Sequence, residues 1–136
     1  MATIVLTNPV IVVGSTSIRT YCDSVTVNYD ADEVEDTNFG DDTHIFKGGG
    51  LFTWSVEATA KNDFAASQLD SIIFPIVGTT TTISVKPTTA ANSATNPEYN
   101  GSCLVKGFTP IAGGVGELST TPLSFMSAGS LSRTTT

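Results

Sequence analysis

The sequence predicts a mainly β protein: a sandwich or barrel of about seven or eight strands with one flanking helix. Three observations carry this. Apolar and polar residues alternate over most of the chain, the spacing of strands with one buried face. Short runs rich in Val, Ile and Thr are divided by Asn-Pro, Asn-Gly and Gly-rich turn signals. One stretch alone, about residues 63–74, repeats its apolar residues at helical spacing. A chain of 136 residues is read as a single domain, 1–136.

The elements follow in order. Residues 3–6 and 10–13 are short β-branched runs split by Asn8-Pro9. Ile18 to Tyr29 reads as a half-buried strand, with Val25, Val27 and Tyr29 on one face and Thr26 and Asn28 on the other. Residues 30–50 break the alternation and read as a long loop. In 51–59, Phe52, Trp54, Val56 and Ala58 form the inward set. The helix has Asn62 or Asp63 as its cap, Ala65, Leu69, Ile72 and Ile73 on its apolar face, and Pro75 and Gly78 at its end. Strands follow at 79–86, 98–108 and 118–126, with Asn100-Gly101 marking a bulge or tight turn. Residues 129–136 form a polar tail.

Composition narrows the function classes. The net charge is −7, which opposes a grip on phosphates. Only 14% of residues are charged, against roughly 25% in ordinary soluble domains. The mean hydropathy is +0.14, and 36 serines and threonines cover much of the surface. Such a surface suits a protein that buries itself against copies or partners. Disorder, a coiled coil and collagen are excluded. The longest apolar stretch, Pro9 to Val13, is far short of the ~20 residues of a membrane span. No basic start and cleavage site mark a signal peptide, so a cytosolic compartment and two free thiols at Cys22 and Cys103 are expected.

Catalytic and metal chemistry have few candidates. His44 is the single histidine, and no Gly-x-Ser-x-Gly elbow accompanies it. The chain is therefore read as a non-enzyme without cofactor or metal. Gly48, Gly49 and Gly50 lack the Gly-Lys-Ser/Thr of a phosphate loop and read as a loop hinge. Asp30, Asp32, Glu33, Glu35, Asp36, Asp41 and Asp42 do not follow calcium-loop spacing, because Val34 takes a ligand place. Val34, Phe39, Ile45 and Phe46 are interleaved with these acids as apolar anchors. Together they suggest a loop that docks on a neighbouring subunit. Arg19, Lys61, Lys86 and Lys106 are the candidate basic counterparts.

The order of several short motifs adds a resemblance. Asp36-Thr-Asn-Phe-Gly-Asp-Asp-Thr43 precedes a Gly-rich stretch and the Trp54 strand. Asn62-Asp-Phe-Ala65, Phe74-Pro-Ile-Val-Gly-Thr79, Pro97-Glu-Tyr-Asn-Gly-Ser102 and Gly114-Val-Gly-Glu-Leu-Ser-Thr120 follow. Over about residues 18–133 this order resembles the major tail (tail tube) proteins of long-tailed phages, especially the small actinobacteriophage type.

The resemblance implies a β-sandwich with one flanking helix. It implies six copies in a ring, and rings stacked into a hollow tube that carries DNA during ejection. The long loop would reach a neighbouring ring. The implied partners are further copies of the chain and the tape measure, tail tip and tail terminator proteins. No membrane and no specific nucleic-acid site are implied. The implied location is the virion tail, with assembly in the host cytoplasm. If the loop docks outward, Asp23, Glu57, Asp63, Asp70, Glu98 and Glu117 set the lumen charge. Two alternatives compete. One is another virion β protein, for capsid decoration or head–tail joining. The other is a small ligand-binding β-sandwich that uses Trp54 and Tyr99 as exposed stacking platforms.

Overall fold

The computed structural model describes residues 5–136. Eight strands form one antiparallel sheet: β1 (Val10–Val13), β2 (Thr16–Ser17), β3 (Cys22–Glu35), β4 (Phe46–Lys61), β5 (Thr80–Lys86), β6 (Glu98–Gly107), β7 (Thr120–Ser127) and β8 (Ser132–Thr134). The strand order is β2-β1-β5-β6-β7-β4-β3, with β8 added to β6. The sheet is mainly β architecture as expected, and it stays open, with β2 and β3 at its edges.

Alternation places one face of every long strand in the core. Phe125 of β7 lies directly opposite Val56 on β4 and Val105 on β6. Leu123 pairs with Ala58, and Ile83, Val85, Cys103, Ile11 and Val13 continue the buried face across β5, β6 and β1. Helix α1 (Leu69–Ile73) covers it with Leu69 and Ile73, four residues apart on one face and both fully buried. The Tyr21 hydroxyl bonds to Gln68 Oε1 and ties the lead-in of β3 to this helix. On β4, Thr53 and Glu57 of the opposite face are exposed, as period two requires.

Several expectations are corrected. Residues 3 and 4 lie outside the described residues, and Val5 and Leu6 belong to no strand. The helix is shorter than 63–74. Asp63 Oδ1 accepts the Ala65 N–H at 3.0 Å, a local turn that competes with helix. Ser67 then takes φ 65, the left-handed region, so helical geometry starts only after it. Gln68 is the N-cap and makes no side-chain capping bond. The Asn62 amide is used elsewhere, donating to Ser119 Oγ at 2.7 Å. A 3-10 turn over Phe74–Ile76 carries Pro75, and Gly78 at φ 85 leads into β5.

Asn100-Gly101 is neither bulge nor turn. Gly101 sits mid-strand in β6, paired in regular register with Ile83 of β5. The tail at 129–136 is partly strand, because Glu98–Asn100 extend beyond β7 and their ladder is completed by Ser132–Thr134. Backbone need, not side-chain pattern, orders these polar residues.

Candidate functional site

The chief correction concerns residues 30–50. They are not a long loop. β3 and β4 pair through Tyr29↔Trp54, Ala31↔Phe52, Glu33↔Gly48 and Glu35↔Phe46, with residues 36–45 as the tip beyond the last strand pair. β7 supports β4 no further toward the tip than Ser55. Beyond the Tyr29–Trp54 pair, the two strands leave the body as a free ribbon. Both faces of that ribbon meet solvent, so its sequence has no reason to alternate.

The three glycines lie inside β4. The ladder is irregular between Ala31 and Glu33, where Asp32 faces residues 49–51. This is a bulge, a device that bends and twists a strand. Gly50 adopts φ 88, which favours glycine. A Cβ on Gly49 would lie 3.2 Å from Asp32 Cβ and 3.3 Å from Val34 Cγ2. Gly48 has open space around it and no such requirement.

The tip is held by its own polar groups. The Asp36 N–H donates to the Ile45 carbonyl at 2.7 Å, and the Ile45 N–H to Thr37 Oγ1 at 2.8 Å. Thr37 Oγ1 donates to Glu35 Oε2 at 2.9 Å, and His44 Nδ1 stands 2.7 Å from the same oxygen. The His44 hydrogen bond, then that from Thr37, holds the Glu35 carboxyl below its ordinary range. Asp41 Oδ2 accepts the Asn38 N–H at 2.7 Å, and Gly40 turns the chain at φ 94. Lys47 reaches Asp36 at 3.5 Å.

Of the predicted anchors, Phe39 projects fully from this tip, and Val34, Ile45 and Phe46 are each about half exposed. Two aromatic residues of the arm carry no comparable sequence signal. Tyr29 and Phe52 stack at its root with ring centroids 5.5 Å apart, and both are exposed. Phe52 shares its alternation with Trp54, yet lies beyond the last strand that could cover it.

Charge is divided unevenly. The arm holds seven acids and one base, Lys47, while the rest of the chain holds six acids and five bases. Both ion pairs among the described residues, His44–Glu35 and Lys47–Asp36, are internal to the arm. None of the four candidate basic counterparts meets it. Arg19 donates to Asn8 Oδ1 at 2.5 Å, Lys86 to the Ala90 carbonyl at 3.0 Å, and Lys61 and Lys106 are exposed. The structure thus gathers the acids and anchors into one body and leaves the bases outside it.

The remaining candidates are placed plainly. Trp54 is 2% exposed and its Nε1 donates to the Gly129 carbonyl at 2.8 Å, which removes it as a stacking platform. Tyr99 is half-buried. Cys22 and Cys103 are free thiols. Burial pushes both up to about 11, with the Asp23 charge adding to the effect on Cys22.

No protein-family model matches the sequence. No curated protein matches it at significant similarity. Solved structures do match its fold. A chain in the virion of a native gene transfer agent particle superposes with a TM-score of 0.73 at 17% identity, covering 93% of this chain and 95% of that one. A chain in the tail of an empty gene transfer agent particle, refined helically with C6 symmetry, superposes with a TM-score of 0.66 at 17% identity. It covers 88% of this chain and 87% of that one. The fold is therefore one that occurs in gene transfer agent particles, and it is matched over nearly the whole length.

Proposed function

We propose that this chain is a structural, non-enzymatic subunit of a phage-type tail, the tube subunit itself. Copies form six-membered rings stacked around a lumen through which DNA passes. The observation that carries the reading is the near-full-length likeness to a chain in a C6 tail. The open sheet and the free arm fit it. Both are features that a solitary protein covers and an assembling one uses.

The arm's role follows from its chemistry. Asp30, Asp32 and Glu33 make no ion pair among the described residues, and Phe39 stands uncovered at the end of the ribbon. Against a neighbour they supply charge complementarity to scattered bases and an aromatic anchor. The body, with six acids and five bases, has no dominant positive charge to hold a passing polyanion. Its partners are further copies of itself, with the tape measure, tail tip and tail terminator proteins at the ends of the tube. Its place is the virion.

Negative-stain electron microscopy of the purified protein tests this. Hollow tubes with six-fold end views are expected. Isolated trimers would favour a decoration protein, and a species that remains monomeric at every concentration would overturn the proposal.

A further inference from the structure

The chain reaches β1 through residues 5–9, which belong to no strand. Leu6 to Pro9 line a cavity of about 400 Å³ together with the first residues of β3, Cys22 to Val25. A second hollow, of about 160 Å³, lies between Val25 and Val27 of β3 and Val85 and Tyr99 of β5 and β6. Leu6, Pro9 and Val25 are common to the walls of both. The segment therefore lies over the mouth between β1 and β3, and space remains on either side of it.

What lies under the segment is an edge. β3 pairs with β4 alone, so one side of its backbone has no strand partner. Bare N–H and C=O groups of this kind invite another strand to add. Leu6 to Pro9 cover the start of that edge without pairing to it. Among the described residues no backbone hydrogen bond joins the segment to β3, and Pro9 has no N–H to give. The β3–β4 ladder is also irregular between Cys22 and Ser24, at the same place. A bulge there is a second device that blunts an edge. The segment is lightly held. Arg19 Nη2 donates to Asn8 Oδ1 at 2.5 Å, and Leu6 is seated with 53% of its surface still exposed. Opening a segment held in this way costs far less than unfolding the domain.

We propose that Leu6–Pro9 is a removable strap that guards the start of β3, clipped shut by the Arg19–Asn8 hydrogen bond and by Leu6 in the mouth. In place, it denies the Cys22–Val25 edge to a strand from another molecule. When the clip breaks and Leu6 withdraws, that edge opens together with the apolar wall of Val25 and Val27. Main-chain groups beside pockets for alternate side chains are what an added strand uses. The strap does not depend on the tail reading, because a bare edge is a hazard to any β subunit before it meets its partners.

Two measurements on the full-length chain test it. Cys22 lines the strapped cavity, whereas Cys103 is buried and lines neither hollow, so the second thiol is an internal control for the first. Wild type, Asn8→Ala and Leu6→Ser are labelled with a small thiol reagent under native conditions. Both substitutions fall at exposed sites and are expected to leave the fold intact. Each should speed labelling of Cys22 by about five- to tenfold, the effect of losing one hydrogen bond's worth of restraint, and leave Cys103 unchanged. A Cys22 rate unmoved in either variant, or Cys103 rising in step with it, overturns the strap. Light scattering against protein concentration then tests the guarding role. The double variant should self-associate at a lower concentration than wild type, and coincident curves overturn that role.

Discussion

Gly101 of β6 lies against the ring of Trp54 on β4. A methyl group on Gly101 would stand 2.8 Å from Trp54 Cζ2 and 2.7 Å from the Ser130 carbonyl oxygen. Neither neighbour can move freely. The indole is 2% exposed and hydrogen-bonded to the Gly129 carbonyl, and Ser130 is backbone. Gly101→Ala is therefore expected to destabilise the fold by about 1–3 kcal/mol, the usual range for overpacking. Chemical denaturation followed by far-ultraviolet circular dichroism measures it. Combined with Trp54→Phe, which removes the crowding ring edge, the loss should be less than additive.

That contact also explains what could be read ahead of the structure. The inward set Trp54, Val56 and Ala58 was legible because period two holds wherever one face is buried. Asn100-Gly101 was legible as an exception but not as the right one. A glycine that makes room for a ring 47 residues earlier in the chain looks the same as a glycine that makes a turn. The arm defeated the pattern for a related reason. Its backbone is paired, but neither face is covered, so the alternation that marks a strand has no cause there. The grouping of acids with Val34, Phe39, Ile45 and Phe46 was visible as composition and needed no geometry. The helix start was not, since Asp63 caps a turn and a helix with the same side chain.

The Glu35–His44 pair makes the tip sensitive to acid. Glu35 is held below its ordinary value of 4.5 in the folded tip, chiefly by the His44 hydrogen bond. A carboxyl with a depressed folded pKa contributes order above its unfolded pKa, and loses it as pH falls through the folded one. The tip should therefore keep its structure at neutral pH and loosen only in acid, as pH falls through the lowered Glu35 value. Nuclear magnetic resonance titration should give Glu35 a midpoint below 4.5, and His44→Ala should bring that midpoint back up. A Glu35 midpoint unmoved by His44→Ala would mean that the hydrogen bond is absent in solution.

Both thiols should be slow nucleophiles. Cys103 is fully buried and Cys22 half-buried, and each is pushed up to about 11 from an ordinary 9.0. Almost no thiolate exists at pH 8, and thiolate is the reactive form. A disulfide reagent should label neither residue quickly in the folded chain and both at once in denaturant, with Cys22 the faster of the two when folded. The folded state holds these protons longer than the unfolded one, so stability should decline as pH rises from about 9 toward 11. A pH series of thermal melts, repeated with Cys103→Ala, reads that slope.

The unpaired acids of the arm should govern how assembly responds to salt. Asp30, Asp32 and Glu33 make no ion pair among the described residues, and Glu35 is shared with His44. On an exposed ribbon such charges repel one another weakly in the free subunit. They gain an opposing field only where Arg19, Lys61 or Lys106 of another copy approaches. Attraction of that kind is screened over about 8 Å at physiological ionic strength. Wild-type assembly should therefore weaken as salt rises. Changing Asp30 and Asp32 to Asn and Glu33 and Glu35 to Gln should weaken it at low salt and flatten the salt dependence. The fold should survive, since these side chains touch none of the core. Light scattering of wild type and variant from low to high salt decides the matter. Parallel curves would show that the carboxylates face solvent in the tube, and that apolar contacts alone hold the arm.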